Sequence, residues 1–111
     1  MMYLKIESSE SVFTLINTFH TTTENQHAIV ESLSRFSKIA WHWEGFVGAA
    51  CHASEDGLRV VNYVQWKTRE NLGNMLARPE SKVHLQEVSA LASIIEPVFY
   101  QVRFVESLAE D

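Results

Sequence analysis

Between Glu44 and Trp66 two apolar runs flank a tight turn: "EGFVGAACHAS", "EDG" and "LRVVNYVQW". Glycine reaches positive φ at no steric cost, so Asp56-Gly57 is a strong hairpin signal. The runs at 44–54 and 58–66 are therefore expected to pair as antiparallel strands. A lone hairpin is marginal in water, so the rest of the chain must supply more sheet and a cover for it.

The flanking sequence meets both needs. Residues 12–21, "VFTLINTFHT", read as a strand. Phe13, Leu15, Asn17 and Phe19 share one face, and Val12, Thr14, Ile16 and Thr18 the other. Thr23 with Gln26 fits a capping box. Ile29, Leu33, Phe36, Ala40 and Trp43 then recur at helical spacing, which predicts an amphipathic helix over about 24–42. Thr68 is placed to cap a short helix carrying Leu72, Met75 and Leu76, and Pro79 suits the first turn of a third helix. The stripe of that helix runs His84, Val88, Leu91 and Ile95. Pro97 is expected to end it, with a last strand over 98–105. Tyr3, Leu4 and Ile6 are candidates for a short edge strand, and "ESLAED" is a polar tail.

The order β-α-β-β-α-β predicts a ferredoxin-like α+β fold, an antiparallel sheet with its helices on one face. Right-handed crossovers are expected to set the first and third strands side by side and parallel at the centre. The other sheet face still carries Val12, Ile16, Val61 and Tyr63. A second copy packing sheet to sheet would cover it, so a homodimer is expected.

Composition narrows the function classes. The 111 residues suit one domain with a core at about 12–105; 46% are hydrophobic, which is enough to fill it. Net charge is -5, and Lys38, Lys67, Arg69, Arg78 and Lys82 form no run, so no nucleic-acid surface is expected. One cysteine, Cys51, allows no internal disulfide and is expected to be a buried, inert thiol. The start "MMYLKIESSE" shows no signal-peptide pattern and no run approaches a membrane span, so a cytoplasmic protein without membrane contact is expected.

Three polar residues stand out on the apolar strands. Asn17 lies between Leu15 and Phe19 on its face, and Asn62 between Val60 and Val64, with Trp66 four residues further on that face. Leaving a buried carboxamide unpaired costs about 1–3 kcal/mol. Either the asparagines bond each other or nearby backbone and only fix strand register, or they face a cavity holding water or ligand. His20, His27, His42, His52 and His84 lack metal-ligand spacing, so no metal site is expected. His84 alone lies on an apolar helical stripe. It reads as a core histidine bonded to a carbonyl, or as a base or haem ligand at a cavity wall. No Gly-rich phosphate loop is present.

"LINTFHT" and "DGLRVVNYVQWKTRENLGNMLARPESKVHLQEV" resemble the antibiotic biosynthesis monooxygenase family, over about Val12 to Phe104. The most specific matches are Asn17 of "INTF" and Asn62 and Trp66 of "VNYVQW". The resemblance implies a dimer of ferredoxin-like subunits forming a paired-sheet α/β barrel. It implies oxidation of a small phenolic, anthrone or quinol substrate by molecular oxygen, without metal, flavin or haem. It makes Asn17, Asn62 and Trp66 the catalytic candidates. Phe19, Phe36, Trp43 and His84 become candidates for substrate binding, with Gly48 and Ala50 leaving room opposite. If the carboxamide donors lower the phenol pKa, no strong base is needed, and turnover is expected to survive loss of His84. The alternatives are a haem-degrading monooxygenase, since the superfamily contains such enzymes with an Asn, a Trp and a helical His, and a non-catalytic binder of small aromatic molecules.

Overall fold

The structure, a computed structural model, describes residues 12–106 and 108. The candidate edge strand at Tyr3, Leu4 and Ile6 lies outside these, as does most of the polar tail. Seven elements follow in order: β1 (Phe13–His20), α1 (Gln26–Ala40), β2 (Phe46–Ala53), β3 (Arg59–Trp66), α2 (Arg69–Leu76), α3 (Pro79–Leu91) and β4 (Ile94–Tyr100). The sheet order is β2-β3-β1-β4, which is the ferredoxin-like α+β arrangement.

The first and third strands are adjacent at the centre, but they run antiparallel. The expected parallel pairing is corrected by the connectivity. α1 carries the chain from β1 across to β2 in the same direction and leaves a one-strand gap. The hairpin then sends β3 back into that gap, antiparallel to both neighbours. Gly57, at φ +79°, makes the hairpin turn, and its N–H donates to Ser54 O.

Three other expectations change. Thr23 and Gln26 do not form a capping box: the N-cap of α1 is Asn25, whose N–H donates to Thr22 Oγ1. Gln26 instead donates through Nε2 to Ser54 O and Arg59 O, tying the helix to the hairpin. Thr68 caps α2 as expected, accepting from Asn71 N–H. α3 ends at Leu91, so Ile95 belongs to β4 and pairs with Phe19. Pro97 lies inside β4 opposite Asn17, and residues 101–105 are not strand. Among the described residues β4 is an edge strand, a position that tolerates a residue without an N–H.

The core divides into two apolar clusters between helices and sheet. One joins Leu15, Val64, Trp66, Leu72 and Met75. The other joins Phe19, Ile29, Leu33, Val60 and Val88. Between them, on the two central strands, lies one polar row.

Candidate active site

That row is Asn62 and Asn17. They are direct cross-strand partners, with Cys51 beyond Asn62 and Pro97 beyond Asn17. Directly opposed side chains on one face start about 5 Å apart, so nothing in the backbone prevents the two carboxamides from meeting. Among the described residues, neither has a side-chain hydrogen-bond partner. Both instead line a cavity of about 440 Å³.

The sheet forms the floor of this cavity with Leu15, Asn17, Phe19, Asn62, Val64 and Trp66. Phe36 comes from α1, Met75 and Leu76 from α2, and Ser81, Lys82, His84 and Val88 from α3. Among the described residues no carboxylate lines it. Trp66 is 1% exposed, and its indole N–H has no acceptor. It lies four residues beyond Asn62, roughly 13 Å along the strand. Two unpaired carboxamides thus stand side by side on the floor of an apolar cavity, with the Trp66 ring in the same floor.

The structure brings Asn17, Asn62, Trp66, Phe19, Phe36 and His84 together around this space. Trp43 does not join them. It backs Phe36 edge-to-face at 5.6 Å and lies under the Arg78 guanidinium, 4.3 Å from its ring centre. Gly48 and Ala50 are also not in the lining; Ala49 is. Phe46 pairs with Trp66 but Gly48 pairs with Gln65, so one extra residue is bulged out at Val47. A one-residue bulge exchanges the faces of everything beyond it. Simple alternation from Phe46 could not foresee this. Cys51 is exposed rather than buried, and partial desolvation raises its thiol pKa, so it is not activated.

Similarity to known proteins places this geometry in a family. Tetracenomycin-F1 monooxygenase of Streptomyces glaucescens is 34% identical to the chain over 98 residues, 87% of each protein. The chain belongs to the antibiotic biosynthesis monooxygenase family. It is a monooxygenase. No family model matches it. Among solved structures, the monooxygenase from the gene ActVA-Orf6 of Streptomyces coelicolor, in complex with the ligand Nanaomycin D, is 29% identical. It superposes with a TM-score of 0.77, covering 87% of this chain and 92% of its own. SnoaB of Streptomyces nogalater, a cofactor-independent oxygenase, superposes at 0.76 with 20% identity, over 90% of this chain and 99% of its own.

In this monooxygenase His84 is held on two sides. Its ring stacks on Phe36 at 4.3 Å with 5° between planes, and Nδ1 lies 3.2 Å from the buried Ser32 Oγ. The bond to a hydroxyl replaces the expected bond to a carbonyl. Burial pushes the His84 pKa down; Glu87 opposes this and Arg35 adds to it. The other histidines stand apart from the cavity. His20 pairs with Glu96 and His27 with Glu31, and the His42 ring lies tilted against Trp41. Among the described residues no group of three His, Cys, Asp or Glu is placed to hold a metal, and no helix is long and apolar enough to cross a membrane.

Proposed function

We propose that this monooxygenase oxidises an electron-rich phenolic, anthrone or quinol substrate directly with molecular oxygen, with no metal, flavin or haem. The carrying observation is the pair of unpaired carboxamides, Asn17 and Asn62, beside the Trp66 ring on the floor of a mostly apolar cavity. A deprotonated phenol or anthrone is electron-rich enough to reduce oxygen itself. For an anthrone the balance closes without a reductant: the ring CH₂ and O₂ become a ring C=O and H₂O. The protein's tasks are to hold the flat substrate, stabilise its anion and keep out bulk water. Carboxamide and indole N–H groups aimed at the developing negative charge do the second task, as in an oxyanion hole. Phe19 and Phe36 flank the ring system and exclude water. SnoaB, a cofactor-independent oxygenase of the same fold, is consistent with this reading.

The test is oxygen uptake with a panel of hydroxyanthrones and hydroquinones, alongside a haem titration. Protein-dependent uptake without added cofactor is expected on at least one anthrone. A stoichiometric Soret band that disappears in His84→Ala, with no uptake on the panel, would replace this reading with haem degradation. Tight binding of the aromatics without uptake would make the protein a binder.

The proposal includes a homodimer built through the sheet face opposite the cavity. Val98 and Tyr100 are 44% and 52% exposed there, and Phe104 beyond the sheet is 80% exposed. On the same face the Tyr63 hydroxyl is buried without a partner, and desolvation raises its pKa. Sedimentation at micromolar concentration is expected to give a dimer, and a stable folded monomer there would overturn this part.

A further inference from the structure

We propose that His84 is the proton acceptor of this site, taking the substrate's proton before oxygen reacts. This rests on the oxygenase reading above and adds a step to it. Oxygen reacts with the substrate anion, so a proton must first leave. Asn17, Asn62 and Trp66 offer N–H donors that stabilise an anion but cannot remove a proton. Among the described residues the cavity lining contains no carboxylate, and Lys82 is exposed. Among the described residues His84 is the remaining titratable side chain in the lining.

Its surroundings suit the task. In the Nδ1–H tautomer the ring donates to Ser32 Oγ and keeps its lone pair on Nε2, which has no partner among the described residues. Phe36, stacked flat against the imidazole, fixes the ring plane at the cavity wall. The charged groups facing the ring are few. Arg35 comes from α1, and Glu80, Glu87 and Lys82 belong to α3. The sheet and α2 contribute only uncharged lining residues. Burial favours the neutral, proton-accepting ring at neutral pH.

The step balances simply. The substrate O–H, or the acidic ring C–H of an anthrone, breaks; its electron pair stays on the substrate, and N–H forms at Nε2. After oxygen adds to the ring carbon, the imidazolium returns the proton to the peroxide, giving a hydroperoxide; the remaining ring C–H and the O–O bond then break, the C–H electron pair forms the carbonyl, and the proton leaves with the hydroxide as water. This replaces the sequence expectation that turnover survives loss of His84.

The experiment compares wild type, His84→Gln and His84→Phe, the last keeping the aromatic stack on Phe36. With 1,8-dihydroxyanthrone, wild-type kcat/KM is expected to rise with pH through an apparent pKa below about 6.5 and then level off. Both variants are expected to lose that limb and at least about 100-fold in rate. Binding of 1,8-dihydroxyanthraquinone, read by tryptophan quenching, is expected to change less than about threefold. Mixed without oxygen, wild type should generate the long-wavelength band of the anthrone anion, and the variants should not. If wild type forms the anion but consumes no oxygen, the oxygenase reading falls and the role of His84 stands. If wild type consumes oxygen and both variants match it with the pH limb intact, the reading stands and the role of His84 is overturned. If wild type does neither, both fall.

Discussion

Two polar pairs lie three residues apart on the same central strands and meet opposite fates. Thr14 opposes Gln65, and Asn17 opposes Asn62. On the sheet face away from the cavity, Thr14 and Gln65 are 2% and 1% exposed, and the Gln65 amide donates to Thr14 Oγ1 at 3.0 Å. On the helix-covered face, the two carboxamides oppose each other without bonding and open into the cavity. A buried pair whose members bond each other fixes register. A pair left open keeps donors ready for a ligand, and the structure carries the cost of leaving them unpaired.

The comparison breaks most clearly on activity. Asn17→Ala and Asn62→Ala are each expected to reduce turnover of an anthrone by roughly 3–4 kcal/mol of transition-state stabilisation. Melting temperature should move little, because each alanine removes a polar group that had no partner. Melting losses of several degrees with full oxygen uptake would make this pair a register pin like the other.

The closed pair should respond the other way. Gln65→Ala leaves the Thr14 hydroxyl buried without its donor, at a cost of about 1–3 kcal/mol. In a domain of this size each kcal/mol lowers the melting temperature by roughly 4–8 °C. Turnover at a temperature where the variant is folded should stay near wild type. A large loss of activity without a loss of stability would place Gln65 in the catalytic machinery.

The smallest expected effect is on pH dependence. His84 has a depressed pKa in the folded state, so the unfolded chain binds its proton more readily. Its contribution to stability is therefore present above about 6.5 and lost as pH falls through the lower folded value. Urea midpoints at pH 7 and pH 5 should fall further for wild type than for His84→Phe. Equal falls would show that the ring is not desolvated by the helices and Phe36.

Much of the site was legible because a strand alternates strictly. The parity of "LINTF" and "VVNYVQW" placed Asn17, Asn62 and Trp66 on one face, and the structure keeps them there. Helical spacing likewise located Ile29, Leu33 and Ala40, all buried. The errors arose where a single residue or a long-range partner decides the outcome. The bulge at Val47 exchanged Gly48 and Ala50 for Ala49, since one extra residue reverses a face. Gln26 left its expected cap because the hairpin offered two carbonyls, and those exist only once the chain has folded.

The sequence by itself determined the order of elements, the faces of the central strands and the apolar character of the cover, because these follow from side-chain period and turn chemistry within a few residues. Only the tertiary structure decided that Asn17 faces Asn62 and that β1 and β3 run antiparallel. It also decided that His84 meets Ser32 and Phe36 rather than a backbone carbonyl. Those contacts join residues 45 to 52 positions apart. No local preference of the chain encodes them; they are set when two strands choose a register and two helices choose where on the sheet to rest.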